Sequence, residues 1–541
     1  MNKPFVKNQI IQLEITGITH EGNGVGRFGS MVVFVPMSAP GDLLEARIVK
    51  VLKTHAFGRI SKIIKPSQDR VEDTCPVYKR CGGCALRHIS YESEAVIKED
   101  WVRENLKRIG KVDVQMDDFM PSASHERYRN KAQLPIRRID GKICAGFFAR
   151  RSHEAIPVRD CLLQPKCFGD ITAAFTDFLE QKSIEPYDEA DNTGLVRHLY
   201  LRIAEATGQV MVCVVINGAD IPYSNELVEA LRKACPDIAT VVLNTNRSKG
   251  NVILGDKNKT IYGSGYITDI LCGIKVDISP QSFYQVNHSG AEAIYKKALE
   301  YAEPKPDDTL LDLYCGAGTI GLSMAANVKE LIGIEVVEAA VADAKKNAVK
   351  NNISNAEFIC ADAEKAVKEL KLSPDIIVLD PPRKGVDKTA LNSVAMMNPE
   401  KIVYISCNSA TLARDCAHLG ECGYKPVRAV AADMFPRTAH VETVALLSKL
   451  KSTTSIEVKI NLDEMDLTQA ESKATYDEIK AYVLDKYGFK VSQLYIAQVK
   501  RKHGIIEREN YNTGESKAKV PQVPEDKEKA IEDALRHFQM I

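Results

Sequence analysis

No run of about 18 consecutive apolar residues occurs in this 541-residue chain, so a membrane span is not expected. The first residues, Met1-Asn2-Lys3-Pro4-Phe5, lack the apolar core of a secretion signal. There is no internal repeat and no low-complexity tract. Charge of neither sign predominates, because the formal net charge is +0. The 14 cysteines are scattered along a long chain and do not form the dense pattern of a small disulfide scaffold. They read as reduced thiols, metal ligands or catalytic groups in a cytoplasmic protein.

What is present is an ordinary globular composition, 45% hydrophobic and 27% charged, in a length suited to three or four domains. The neutral total conceals local surpluses of positive charge. Residues 1–70 carry ten Lys and Arg against five Asp and Glu, and residues 126–159 carry nine against three. Two such stretches are a possible nucleic-acid footprint as well as an ordinary solvated surface.

Residues 1–65 read as a small all-β unit. Alternating segments such as Ile11–Ile15, Met31–Val35 and Leu44–Ile48 are separated by glycine turns, Gly22 to Gly26 among them. The run Gly22 to Val35, followed by Pro40-Gly41-Asp42, resembles a TRAM domain, an OB-like RNA-binding barrel. Residues 66–278 read as a central, β-rich domain with helical insertions. It opens on a cysteine-bearing loop and a helix over 90–109 with Trp101, Val102 and Leu106 on one face. Residues 279–450 alternate strand and helix: Thr309–Tyr314, a helix from Ile320, Leu331–Glu335, a helix from Glu338, Asp375–Leu379, Lys401–Ile405. That order implies a doubly wound parallel sheet. Residues 451–541 form an α-helical appendage. One helix is expected over Thr468 to Tyr487 and a second, capped by Ser492, carries Gln498, Lys500, Arg501 and Lys502. The whole is a multidomain α/β chain.

Three stretches carry chemistry. Asp312-Leu-Tyr-Cys-Gly316-Ala-Gly318 follows an apolar strand and opens a helix, where glycines permit a tight turn and close backbone approach to a ligand. Glu335 ends the next strand, placed to accept ribose hydroxyls. The pattern fits S-adenosylmethionine and equally a dinucleotide. Asp380-Pro-Pro-Arg-Lys-Gly385 lies at the carboxyl end of the strand Ile376–Leu379, where open α/β sheets bind ligands. Arg383 stands where enzymes that methylate exocyclic amines usually carry an aromatic residue, which weakens that reading. Finally Ser406-Cys407-Asn408 and His440-Val441-Glu442 each border a buried strand. Separately, Cys75-x5-Cys81-Gly-Gly-Cys84 with distant Cys161 supplies four thiols that suit either zinc or an iron–sulfur cluster.

In this order the motifs resemble the RNA uracil-5-methyltransferase family, in its iron–sulfur branch acting on large-subunit (23S) ribosomal RNA. The resemblance runs from about residue 9 to residue 448. It implies a Rossmann-like methyltransferase domain with Cys407 as nucleophile and Glu442 as base. It also implies that Gln285, Tyr314, Thr319, Glu335, Asp362 and Asp380 contact S-adenosyl-L-methionine or substrate. Some relatives carry Asn at the position of Thr319. Asp362 also reads as a helix N-cap. The resemblance assigns Cys75, Cys81, Cys84 and Cys161 to a [4Fe-4S] cluster, ribosomal RNA as partner, and a cytoplasmic monomer with no membrane association. The transfer-RNA enzymes of the family and a non-catalytic RNA-binding protein are the rivals.

Overall fold

The alternation of apolar and polar residues over residues 10–65 closes a five-stranded barrel. In the computed structural model, which describes residues 6–150, 152–362, 372–450, 476–503, 523–538 and 540–541, its strands are Ile10–Ile18, Asn23–Phe28, Met31–Pro36, Leu43–Val51 and His55–Lys65. Ile11, Leu13, Ile15, Val33, Val35, Leu44, Ala46, Ile48 and Ala56 fill the interior. Residues Gly22 to Gly26, expected as a turn, divide differently. The turn ends at Gly22, and Gly24 and Gly26 face inward within a strand. A Cβ on Gly26 would lie 2.2 Å from Leu13 Cδ1, so these glycines let two strands cross closely. Asp42 locks the barrel exit: it accepts bonds from the amides of Ala39 (2.7 Å) and Ser67 (2.9 Å) and from the Arg70 guanidinium.

The central region is a seven-stranded sheet. Its order is Lys257–Tyr262, Ile238–Thr245, Val210–Ile216, Val196–Ile203, Lys131–Ile139, Lys142–Phe148 and Ala155–Pro157. Helices Lys166–Gln181 and Ser224–Ala234 bury Phe168, Phe175, Leu227 and Leu231 on one face.

The strand–helix alternation after residue 279 builds an eight-stranded sheet. Its order is Ala356–Cys360, Glu330–Glu335, Thr309–Leu313, Ile376–Leu379, Lys401–Ser406, Glu442–Lys449, Tyr424–Ala432 and Gln115–Met116. The first five strands are parallel, and Glu442–Lys449 runs antiparallel to both of its neighbours. Helices His288–Ala302, Thr319–Met324 and Glu338–Lys350 cover one face; Tyr91–Arg108, Lys388–Met396 and Ser409–Glu421 cover the other. The segment from Tyr91 to Met116 therefore packs into this sheet's core although it lies within the stretch 66–278. Its partners are some 300 residues away: Asn105 Nδ2 donates to Ser409 Oγ at 2.8 Å. The reversal of strand order between Thr309–Leu313 and Ile376–Leu379 opens a crevice at their carboxyl ends, where such sheets bind ligands.

The chain divides into two compact units, Met1–Lys451 and Ser452–Ile541. In the second, helices Tyr476–Tyr487, Gln493–Lys502 and Glu525–His537 enclose Ile479, Val483, Ile496, Val499, Ile531 and Leu535. Ser492 caps the middle helix by accepting from the Tyr495 amide. The expected helix from Thr468 is described from Tyr476 onward; residues 468–475 lie outside the described residues. Much of the basic charge of Gln493–Lys502 is used internally: Lys502 pairs with Glu528, and Lys500 Nζ sits 4.5 Å from the Tyr476 ring centroid. Among the described residues no helix is long and apolar enough to cross a membrane.

Candidate active site and its cysteine-lined neighbour

Three positions between the strand Thr309–Leu313 and the helix Thr319–Met324 take a left-handed backbone: Tyr314 (φ 67°), Gly316 (φ 53°) and Gly318 (φ 77°). A Cβ on Gly318 would meet Phe358 at 2.9 Å, so glycine is required there for packing as well as for conformation. Glu335 braces this loop. One of its carboxylate oxygens accepts from the Gly316 amide (3.2 Å) and the other from the Val337 amide (2.9 Å). Asp312, fully buried, accepts from the Gly321 amide at 2.9 Å through Oδ2, and burial pushes its carboxyl up to about 7. The Thr319 hydroxyl lies 3.0 Å from the hydroxyl of Tyr295.

The second wall comes from strand ends farther along the sheet. Asp380 ends the strand Ile376–Leu379 with its carboxyl buried and pushed up to about 7 by desolvation. Cys407 follows Lys401–Ser406. Asn408 then caps the helix Ser409–Glu421 through the amides of Ala410 and Thr411, and its Nδ2 donates to the Arg383 carbonyl at 3.2 Å. Burial pushes the half-buried Cys407 thiol up, with the charge of Glu442 acting the same way. The Arg383 guanidinium, hydrogen-bonded to the sulfur, opposes both. Glu442 opens the strand Glu442–Lys449 at 6% exposure; burial, then the charge of Asp380, push it up to about 8.

One cavity of about 1380 Å³ joins these walls. Gln285, Tyr314, Thr319, Glu335, Asp362, Asp380, Cys407 and Glu442 all line it, so every residue expected at the cofactor and catalytic sites faces the same space. Asp362 follows the strand Ala356–Cys360; residues 363–371, which it was expected to cap, lie outside the described residues. Sequence reasoning did not single out Tyr295, Phe435, Arg129 or Lys131, which line the cavity as well, nor the bond from Arg383 to the thiol. Arg383 carried a signal in its place in the Asp380 loop. The others come from distant segments that only the fold brings together.

Cys75, Cys81, Cys84 and Cys161 line a second cavity of about 360 Å³. Arg129, Lys131, Arg383 and Phe435 border both cavities, so the two share a wall. The cysteine loop is tied to the central sheet: Cys81 bridges to Ala149, and Arg127 Nη1 donates to the Cys161 carbonyl at 3.1 Å. The Gly83 amide donates to Cys81 Sγ at 3.4 Å. Among the described residues no three His, Cys, Asp or Glu side chains converge on a single point as ligands of one metal ion.

Comparison with known proteins agrees with this geometry. The family described as tRNA (Uracil-5-)-methyltransferase matches residues 223–450, and the TRAM domain matches residues 4–61. An RNA methyltransferase of Listeria innocua is 40% identical over 446 residues, covering 82% of this chain and 98% of the relative. An RNA methyltransferase of Halalkalibacterium halodurans is 40% identical over 448 residues, with the same coverage of each. The crystal structure of Pyrococcus abyssi tRNA (uracil-54, C5)-methyltransferase in complex with S-adenosyl-L-homocysteine superposes with a TM-score of 0.67 at 28% identity. The match covers 81% of this chain and 100% of that one. The chain belongs to the RNA uracil-5-methyltransferase family, with a TRAM domain as its N-terminal barrel.

Proposed function

We propose that this enzyme uses S-adenosyl-L-methionine to methylate carbon 5 of a uridine in 23S ribosomal RNA, through a covalent bond between Cys407 and carbon 6. The observation that carries the reading is the shared cavity. A thiol, a buried carboxylate and a braced glycine loop at a strand-order reversal face one space large enough for a cofactor and a base. The glycine loop and Glu335 are suited to hold the nucleoside of the cofactor, Glu335 through lone pairs its amide bonds leave over.

Carbon 5 of uracil is a weak nucleophile. Addition of the Cys407 thiolate to carbon 6 forms the S–C6 bond and moves the ring electrons into an enolate, which makes carbon 5 nucleophilic. Carbon 5 takes the methyl group from the sulfonium, whose sulfur keeps the bonding pair. Glu442 then removes the proton from carbon 5. Those electrons restore the 5,6 double bond and expel the Cys407 sulfur. Arg383 stabilises the thiolate at the outset and again as it leaves. A base stacked in a helix cannot reach Cys407, so the target uridine is unstacked on binding.

The four cysteines fit a [4Fe-4S] cluster. A cubane bonds one thiolate to each iron, so its ligands surround a body and do not meet at a point, and four thiols around a cavity of about 360 Å³ suit that. Cys75, Cys81, Cys84 and Cys161 would hold it. There it would supply a covalent clamp between the cysteine loop and the central domain.

A transfer-RNA substrate is the second reading, favoured by the likeness to the Pyrococcus abyssi enzyme. Ribosomal RNA is put first on the resemblance of the motifs, Cys75, Cys81, Cys84 and Cys161 among them, to the ribosomal branch; the likeness to the transfer-RNA enzyme spans 81% of this chain as well, so coverage does not separate the two. Mapping 5-methyluridine in 23S ribosomal RNA and transfer RNA, with and without the gene, decides. Loss of a 23S modification supports the proposal, loss in transfer RNA supports the second reading, and loss in neither overturns both.

A further inference from the structure

The chain approaches Glu442 through a segment, 433–441, fixed by bonds to parts of the molecule distant in sequence. At its centre Arg437 has a left-handed backbone (φ 69°), which L side chains adopt only where their surroundings over-determine it. The Arg437 amide donates to Glu94 Oε1 at 2.6 Å, and its carbonyl accepts from the amides of Ala85 (2.9 Å) and Leu86 (3.0 Å). Its guanidinium donates to the Ile89 carbonyl at 3.1 Å and to Glu94 at 3.4 Å. Just before it, the Met434 carbonyl accepts from Asn287 Nδ2 (3.0 Å) and the Pro436 carbonyl from the Tyr128 hydroxyl (3.0 Å). Cys84 immediately precedes Ala85, so one anchor of the segment is the cysteine loop itself.

Beyond Arg437 the segment is shaped by its own side chains. The Thr438 hydroxyl donates to the Phe435 carbonyl at 2.8 Å, and the His440 amide donates to the same hydroxyl oxygen at 3.4 Å. The His440 ring stands edge-on to Phe435, with 80° between the planes and 6.0 Å between centroids. So oriented, its Nε2 lies 3.4 Å from an Nη of Arg383. A guanidinium can only donate, so Nε2 accepts and the imidazole carries its proton on Nδ1. Arg383 is the residue hydrogen-bonded to the Cys407 sulfur. Holding so long a side chain in one place costs rotamer freedom, and a second contact on the same guanidinium meets that cost before the thiolate forms.

We propose that segment 433–441 is a positioning strap: anchored at Arg437 on the cysteine loop and on the helix Tyr91–Arg108, it holds His440 against Arg383 and so keeps the guanidinium on Cys407. This deepens the reading of Cys407 as nucleophile and rests on it. His440 lines the cysteine cavity and not the larger one, so it acts through Arg383, and Arg437 acts through His440.

The test reads Cys407 directly in the full chain. Its alkylation by iodoacetamide is followed against pH, with each cysteine resolved by peptide mass spectrometry. Only the thiolate reacts, so release of the guanidinium raises the midpoint. His440→Leu removes the acceptor and should move the midpoint up by about one pH unit. His440→Gln, whose side-chain oxygen can still accept from Arg383, should restore most of the shift. In methylation assays at neutral pH, kcat of His440→Leu should fall roughly three- to tenfold with KM and S-adenosylmethionine affinity unchanged, because scarcer thiolate is partly offset by its greater nucleophilicity. Arg437→Ala should shift the midpoint in the same direction, and Arg437→Gly, which takes the left-handed backbone without strain, should shift it less. Adding Arg437→Ala to His440→Leu should shift it no further, since both act on one guanidinium. A wild-type midpoint in His440→Leu, whatever its melting temperature, or a double variant whose shift is the sum of the single ones, would overturn the strap. Alkylation needs neither RNA nor methyl transfer. The strap can therefore fail while the covalent adduct forms normally, which keeps its failure distinct from that of the nucleophile.

Discussion

The Nδ2 of Asn408 donates to the backbone carbonyl of Arg383 at 3.2 Å, joining the loop of the cysteine to the loop of the buried Asp380. The same Asn408 caps the helix behind Cys407. One side chain thus fixes the helix that follows Cys407 and the arginine that hydrogen-bonds its sulfur. Replacing Asn408 with Ala removes about 1 kcal/mol of helix capping. It should cost more in turnover than in cofactor affinity, because both loops it joins bear on the thiol. Calorimetric titration with S-adenosylmethionine beside steady-state kinetics separates the two; equal losses would refute the role.

Cys407→Ala should reduce methylation on the order of a millionfold, as removal of a nucleophile that acts in concert with its base does elsewhere. Cofactor binding should persist. With 5-fluorouridine RNA the wild type should form an adduct that survives denaturant, since fluorine on carbon 5 blocks the final proton loss. Normal turnover on uridine with no such adduct would remove covalent catalysis from the scheme.

Glu442, pushed up to about 8 by burial, can accept a proton only as its carboxylate. Where proton removal limits the rate, methylation should rise about tenfold per pH unit below 8 and level off above it. The raised Cys407 thiol governs the earlier addition step, so a rate limited by that step should go on rising past pH 8. Glu442→Gln should accumulate covalent enzyme–RNA complexes on ordinary uridine RNA. Stability should move oppositely. A carboxyl whose folded value lies above its ordinary 4.5 destabilises the fold as pH rises from there towards 8. Glu442→Gln should therefore melt higher than the wild type at neutral pH and equally below about 4.5. A pH-independent difference in melting temperature would contradict this.

Lys98 is fully buried and donates to Glu94 (2.7 Å), Asp433 (2.8 Å) and the Phe435 carbonyl (3.1 Å). Lys98→Met leaves Asp433 buried without its cation and Glu94 with only Arg437, whose guanidinium lies at 3.4 Å, at a cost of about 3–5 kcal/mol. Asp433 and Phe435 lie in the segment that runs on to Glu442, so turnover should fall with stability. Adding Glu94→Gln and Asp433→Asn should recover much of the melting temperature, because the stranded charges are then gone. Denaturant titration of the single and triple variants checks this; a triple variant no more stable than the single one would contradict it.

Asp42 works in the opposite electrostatic sense. Burial alone would raise its carboxyl, but the Arg70 guanidinium and the amides of Ala39 and Ser67 outweigh it and hold it below the usual range. A depressed carboxyl contributes stability at pH values above its ordinary value, and that contribution is lost as pH falls through the folded one. The barrel should therefore be acid-labile, and Asp42→Asn should cost about 3 kcal/mol at neutral pH with a smaller difference from wild type at low pH. Circular dichroism melts across acidic pH measure it.

Much of this was legible in the sequence because the signals are local. The strand–glycine–helix run around Gly316 lies at a carboxyl strand end, and so do Asp380 and Cys407; Glu442 opens a strand antiparallel to its neighbour and reaches the same crevice. Parallel strands bring their carboxyl ends together, so motifs as far apart in sequence as Gly316 and Cys407 had to meet. Less legible were features decided by packing between distant segments. Gly24 and Gly26 carry turn residues' signature yet lie in a strand, because Ser38 beside the first and Leu13 beside the second pass too close for a side chain. The helix Tyr91–Arg108 shows its apolar face, but not that the face meets Ser409–Glu421. The helix Glu525–His537 is harder to see: acid-rich at its start, it shows its apolar stripe only at Ala530, Ile531, Ala534 and Leu535.

The cysteine-lined cavity yields the last prediction. Protein purified without oxygen should be brown and carry about four irons per chain, one for each of Cys75, Cys81, Cys84 and Cys161. Zinc in their place, with no iron, would show that the thiols serve a different metal. Cys84→Ser should weaken RNA binding more than affinity for free S-adenosylmethionine. The reason is geometric: the cysteine cavity abuts Arg129 and Lys131 of the central domain, whereas Glu335, Tyr314 and the glycine loop line only the larger cavity. The wall between the two, where Arg383 and Phe435 also stand, would loosen on the RNA side first. Should Cys84→Ser lose cofactor affinity alone, that division of labour would be wrong.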